Sequence, residues 1–187
     1  MKRVGQSMSR VKITPKNSEK VMQYNDFIVS KTDKKGIITY CNEIFMYMAG
    51  YKESELIREN HNLIRHPDMP RVAFKLAWDL ISSGQEFIGF VKNLSKDGSF
   101  YWVFATITAD YDNNNNIIGY TSVRRKPPKS AINAIEPIYK LLLDTEKTGG
   151  MEASGKLLFQ HFYFEYLVDN PSIVPFLNLY NHKDLYH

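Results

Sequence analysis

A chain of 187 residues, 43% hydrophobic and 24% charged, has the size and balance of one soluble globular domain with an extension and is short for two full domains. No apolar run approaches the roughly 18–20 residues that span a bilayer, and the first twenty residues carry basic side chains with no apolar core after them, which excludes a secretory signal. A net charge of +4 is modest, and a single cysteine, Cys41, excludes an internal disulfide and any multi-cysteine metal site.

These features predict a cytoplasmic protein. Cys41 stands among bulky apolar residues and reads as a buried structural thiol. Much of the positive charge sits at the edges: Lys2, Arg3, Arg10, Lys12, Lys16 and Lys20 before the first strand, and Arg124, Arg125, Lys126 and Lys129 after the last. Neither cluster has the aromatic interleaving or the helix pair of a nucleic-acid binder, so the lead reads as a solvated tail and nucleic acid is not an expected partner.

In chain order, Phe27–Thr32 and Ile37–Tyr40 flank the turn Asp33-Lys34-Lys35-Gly36 and read as a β-hairpin. Asn42 is a good N-cap for the run Ile44–Ala49, which Gly50 closes, and a short turn follows from Ser54. The stretch His61-Asn62-Leu63-Ile64-Arg65-His66-Pro67-Asp68-Met69-Pro70 then packs cations, a carboxylate, an amide and two prolines into ten positions. Each proline lacks an N–H and pushes the residue before it out of helical geometry, so the segment is a stiff, non-helical connector able to hold a polar ligand. The alternative is a solvated loop in which Arg65 and Asp68 form a weak ion pair.

Val72, Ala73, Leu76, Ala77, Leu80 and Ile81 recur at helical spacing up to Gly84, with Phe74 and Trp78 together on an adjacent face. Three antiparallel strands follow, Phe87–Leu94, Phe100–Ala109 and Ile117–Arg124, separated by Ser95-Lys96-Asp97-Gly98 and by an asparagine-rich turn. With the first hairpin they make a five-stranded antiparallel sheet. The intervening helices must cover one face, which leaves a cavity between sheet and helices. In the middle strand Phe100, Trp102, Phe104 and Thr106 share one face, and Tyr101, Val103, Ala105 and Ile107 the other. Neither face is wet, so the outer one needs a cover: the amino-terminal segment, the carboxy-terminal helix or a second subunit. Beyond Pro127-Pro128, Ala131 to Leu142 make a helical stripe that Gly149-Gly150 ends, and Phe159 to Leu167 form an aromatic cluster suited to packing or docking. The domain reading is a basic lead over 1–24, a sensor domain over 25–126 and a helical, aromatic extension over 127–187.

This order of elements resembles the PAS fold, an α+β architecture, and the residues carrying the closer resemblance are those of an aerotaxis-receptor type: Thr39-Tyr40-Cys41-Asn42-Glu43-Ile44-Phe45, Ala49-Gly50-Tyr51, the His61–Pro70 run, Ala73-Phe74, Trp78, Val91-Lys92-Asn93, Lys96-Asp97-Gly98 and Tyr101-Trp102-Val103. The resemblance implies a non-covalently bound FAD whose redox state reports respiratory electron flow; the residues themselves offer no phosphate-cradling Gly motif, nucleophile elbow or Cys–His pairing, so no enzymatic activity is expected. The resemblance also implies Trp78 against the flavin ring, Asn93 at its pyrimidine edge with Phe87 and Val91 on the same strand face, and Trp102 in the cofactor set. His61, Asn62, Arg65, His66 and Asp68 would be a cofactor-side loop, and Asn42 a matching corner asparagine. It further implies a membrane-bound chemotaxis transducer, a HAMP-type signalling protein, as partner; a homodimer through terminal helices; and association with the inner membrane only through that partner. Because the chain ends at His187 with no membrane segment, it resembles the standalone variety. Arg124, Arg125 and the aromatic segment are then candidate docking surfaces. Two other readings remain open: a haem gas sensor using His61, His66 or His161 as axial ligand, and a cofactor-free interaction module.

Overall fold

The computed structural model describes the backbone over residues 13–166 and side chains as far as residue 158. Five strands, β1 (Ile28–Asp33), β2 (Ile38–Cys41), β3 (Phe87–Leu94), β4 (Phe100–Tyr111) and β5 (Ile117–Arg125), form one antiparallel sheet in the order β2-β1-β5-β4-β3. Helices α1 (Glu43–Ala49), α2 (Glu53–Leu56) and α3 (Arg71–Ser82), with a 3-10 turn over His61–Ile64, lie in the single connection between β2 and β3. The hairpin therefore joins the sheet through β5, and the connection crosses the inner face from one edge of the sheet to the other.

Local chemistry explains the punctuation. Asp33 accepts from the amides of Lys35 and Ile37 while Gly36 takes φ 77°, which closes the first hairpin. Asp112 does the same for Asn114 and Asn116, with Asn115 in the left-handed region. Asn42 caps α1 by accepting from the Phe45 amide, and Gly50 ends it. The same amide side chain also accepts from Val29 N and donates to Phe27 O, so Asn42 ties helix, strand and loop together.

Inward residues from β1, β2 and β4 pack with α1 into one apolar core containing Ile28, Ile38, Phe45, Leu56, Tyr101 and Val103. Cys41 is buried in it, and burial raises its thiol pKa. A second core lies between α3, the outward side of β4 and α4 (Lys129–Tyr166), where Trp102 stacks on Tyr139 at 6.2 Å. The helix is broken at Gly150, whose φ of 76° and ψ of −176° suit glycine almost alone. Beyond the break the chain folds back, so that Ser154 Oγ reaches Leu142 O at 3.2 Å.

The expectation of a solvated lead does not hold for its last part. Lys16 N and Lys20 N donate to Gly98 O and Phe100 O, Ser18 O accepts from Phe100 N, and Met22 is buried in the first core. The outer sheet face is covered at one end by α4, over Trp102, and is open around Ile88 and Val123. Edge strand β3 is blunted by Tyr139 Oη donating to Phe90 O at 2.6 Å, by Lys92 N donating to Met69 Sδ, and by a backbone bridge from Arg65 to Asn93.

Candidate functional site

Between the inner sheet face and the α3 side lies a cavity of about 630 Å³, within the range of small-molecule and cofactor sites. Its floor is the inward set of four strands, including Ser30, Val91, Asn93, Ala105, Ser122 and Arg124. Its roof is the 3-10 turn and α3, including His61, Arg65, Phe74, Ala77 and Trp78. At the free edge of β3 the wall is completed by Tyr139 and Met151, one from each side of the break in α4.

Most of the wall is apolar, and its polar content is one-sided. Lys35, Arg65, Arg71, Lys75 and Arg124 all line the cavity, and no aspartate or glutamate does so among the described residues. Lys35, Arg71 and Lys75 are exposed, whereas Arg124 is only 4% exposed. Lys75 pairs with Asp79 at 2.6 Å. Arg65 lies 4.1 Å over the Phe74 ring and donates to Met69 O, and burial lowers its pKa against the opposing pull of Glu146. Among the described residues four buried side-chain polar atoms lack a hydrogen-bond partner: Asn93 Nδ2, Ser122 Oγ, Arg124 Nη1 and Tyr101 Oη. Three of these four residues line the cavity. Orphaned buried donors are costly, and a group of them facing one cavity offers hydrogen bonds to a polar ligand.

Seven of the sequence-predicted residues meet there: His61, Asn62, Arg65, Trp78, Phe87, Val91 and Asn93. Trp78 stands at the mouth, 40% exposed and edge-on to Tyr120 at 5.5 Å. The other four lie outside the lining. Asn42 is spent on its cap and two backbone contacts. Trp102 points out of the opposite sheet face because it pairs with Lys92, one register step from the inward Asn93–Tyr101 pair. His66 is buried beneath its own loop, its Nδ1 accepting from Asp68 N, with its ring edge on Phe100. Asp68 is turned outward to Lys92 Nζ at 2.8 Å. Burial tends to raise the Asp68 pKa, but that bond and the charge of Lys92 hold it low.

Sequence reasoning also misassigned one residue and missed two. Arg124, read as part of a basic docking rim, is a buried cavity group; only Arg125 is on the surface, its guanidinium 5.0 Å over Phe104. Tyr139 and Met151 reach the cavity from a segment that the sequence pattern assigned to an extension. As for an axial haem ligand, His61 is engaged by Arg124 at 2.7 Å and His66 lies outside the lining, while the side chain of His161 falls outside the described residues. The aromatic docking surface from Phe159 to Leu167 likewise falls outside the described side chains. Among the described residues no helix is long and apolar enough to cross a membrane.

Comparison with known proteins agrees with this architecture. Residues 38–124 match the family model of the PAS fold. The chain is 39% identical over 115 residues to the aerotaxis receptor of Escherichia coli, covering 62% of this chain and 22% of the receptor. It is 28% identical over 97 residues to a nitrogen fixation regulatory protein of Klebsiella pneumoniae, covering 52% of this chain and 20% of that protein. The chain thus spans about a fifth of the length of these relatives. Among solved structures, a light-oxygen-voltage domain from work on a flavin analogue superposes with a TM-score of 0.52 at 24% identity, over 58% of this chain and 82% of that domain.

Proposed function

With residues 38–124 this chain belongs to the PAS family, its sensor region related to that of an aerotaxis receptor, and from that premise we propose that it is a cytoplasmic FAD-binding redox sensor for energy taxis. The observation that carries the reading is the conjunction of an apolar slot, a lining whose charged groups are all cations, and orphaned donors at Asn93, Ser122 and Arg124. A flavin dinucleotide needs each of these: apolar faces for a planar ring, donors at the ring's heteroatom edge, and cations for a pyrophosphate.

In this reading Trp78, Phe74, Val91 and Ala105 bound the ring, and Asn93 meets its edge, since an amide both donates and accepts. The exposed cations Lys35, Arg71 and Lys75 stand where phosphates keep part of their hydration. The bound group supplies reversible electron uptake; the protein supplies exclusion of water, orientation and donors. Because β3 carries both Asn93 and the backbone carbonyl held by Tyr139, a change in the donor pattern at the ring reaches α4 through one strand. We assign the transfer of that state to a separate membrane-bound chemotaxis transducer, with the protein acting as a homodimer.

An absorption spectrum of the purified protein before and after a chemical reductant tests this. The expected result is the two-band visible spectrum of oxidised flavin, bleached on reduction. A Soret band, or a protein that stays colourless after incubation with FAD, overturns the reading. Trp78→Ala should lose flavin and remain folded; full occupancy in that variant removes Trp78 from the site.

A further inference from the structure

The inward residues of β5 after Tyr120 are Ser122 and Arg124, and both present a polar atom with no partner. Arg124 Nη2 is fully used: it donates to Ser30 Oγ at 2.9 Å and to His61 Nε2 at 2.7 Å. His61 must therefore accept at Nε2. Burial and the neighbouring guanidinium both hold its pKa well below the usual value, so the ring is neutral. Its stacking on Phe45, 5.6 Å away at 14°, fixes that orientation, and Phe45 also lies under the Arg124 guanidinium. No carboxylate faces Arg124 among the described residues, and burial brings its pKa down to about 10. The side chain remains a cation at neutral pH, desolvated, fixed on one side and unsatisfied on the other. A buried charge of this kind is stable only when a complementary group is present.

That group belongs to the ligand, and its position decides which part. Three lining cations, Lys35, Arg71 and Lys75, are exposed, whereas Arg124 is buried on the sheet floor. Phosphates, strongly hydrated, belong with the former. We propose that Arg124, oriented by Ser30 and His61 and joined by Ser122, is a recognition site for the electron-rich edge of the ring inside the cavity, raising the ring's affinity for electrons. Arg124 and Asn93 share one sheet face two strands apart, on register rows Ala105 and Tyr101 of β4, so they address different parts of the ligand. Identifying the ring as a flavin rests on the function proposed above.

The test compares wild type with Arg124→Gln, Arg124→Lys and Ser122→Ala, each freed of ligand and titrated with riboflavin, which lacks phosphate, and with FAD; the midpoint potential of each complex is then measured. Arg124→Gln should weaken both ligands by a similar factor, about ten- to hundredfold for one charge-assisted hydrogen bond, and lower the midpoint potential. Arg124→Lys, keeping the charge, should hold the potential nearer wild type, and Ser122→Ala should move it less in the same direction. A loss confined to FAD, with riboflavin unaffected, means that Arg124 reads phosphate and overturns the proposal. So does an unchanged potential and riboflavin affinity in Arg124→Gln, or, where that variant does not fold, in Arg124→Lys and Ser122→Ala together. A wild-type protein that takes up neither ligand overturns the flavin reading itself, and this inference with it.

Discussion

Glu146 does work on a helix other than its own. Helix α3 starts at Arg71 behind Pro70, a residue with no side chain able to cap it. The orphaned Val72 amide donates instead to Glu146 Oε1 of α4 at 2.8 Å. The carboxylate thus caps α3 from outside, faces the positive end of its dipole and pulls on Arg65 in the cavity wall. Replacing a capping side chain with alanine costs about 0.5–2 kcal/mol, and a charge at a helix N-terminus contributes about 0.3–1 kcal/mol. Glu146→Ala should therefore destabilise the protein by about 1–3 kcal/mol, a fall in Tm of about 2–12 °C for a chain of this size. Glu146→Gln, which keeps the acceptor and loses the charge, should fall by only about 0.3–1 kcal/mol. Thermal melts of the three proteins, with hydrogen exchange at Val72, give the readout. If Glu146→Ala melts within about 1 °C of wild type and Val72 stays protected, α4 does not cap α3.

Asn93 is 4% exposed with an orphaned Nδ2, so Asn93→Leu should leave the ligand-free protein as stable as wild type or more so while abolishing flavin uptake; a large drop in Tm without ligand would assign the residue to the fold. The Lys92–Asp68 pair is lopsided, its side chains 9% and 59% exposed. Asp68→Ala leaves a nearly buried ammonium over the Phe100 ring with Glu136, 3.6 Å away, as its remaining carboxylate partner among the described residues, and should cost more than Lys92→Met, which leaves Asp68 to water; urea denaturation giving the reverse order refutes this. His61 and His66 both have pKa values lowered by burial. Below about 6.5 the unfolded chain binds protons that the native state refuses, so stability should fall as pH drops from 7 to 5. A His61→Asn variant with the same pH slope as wild type would remove His61 from that effect.

The strand pattern was legible because each strand alternates and each turn carries its own chemistry, as with Asp33 and Gly36. Phe87, Val91 and Asn93 fall on one face by simple parity, whatever the partner strand. Register across strands is not in the local pattern, and that is why Trp102 was grouped with residues on the opposite face. Arg124 was assigned to the surface for a related reason. On β1 and β5 the inward residues are largely polar, Ser30, Thr32, Ser122 and Arg124, while the outward ones include Val29 and Val123. Alternation alone assigns that polar set to solvent. A cavity that binds a polar ligand inverts the usual pattern, and the inversion was visible as two paired strands with valines on the wrong side. His66 and Asp68 show the reverse case: dense polarity in a loop was read as ligand chemistry, whereas His66 holds the loop on itself through the Asp68 amide and Asp68 ties it to Lys92 of β3. Met151 depends on the reversal at Gly150, and Tyr139 on how the first half of α4 docks against β3; periodicity in α4 encodes neither.

The pleat of β3 makes one backbone serve two compartments. Asn93 faces the cavity, and Lys92, its immediate neighbour, faces away into contacts with Asp68 and Glu136. As the outermost strand, β3 has a partner along only one flank, so its free flank is steadied by three unlike clamps, a phenol, a thioether and a stretch of loop. A small roll of such a strand about its own axis tips adjacent side chains in opposite senses. The cavity and the surface helix are therefore linked like the two ends of a see-saw, with a pivot one peptide unit wide.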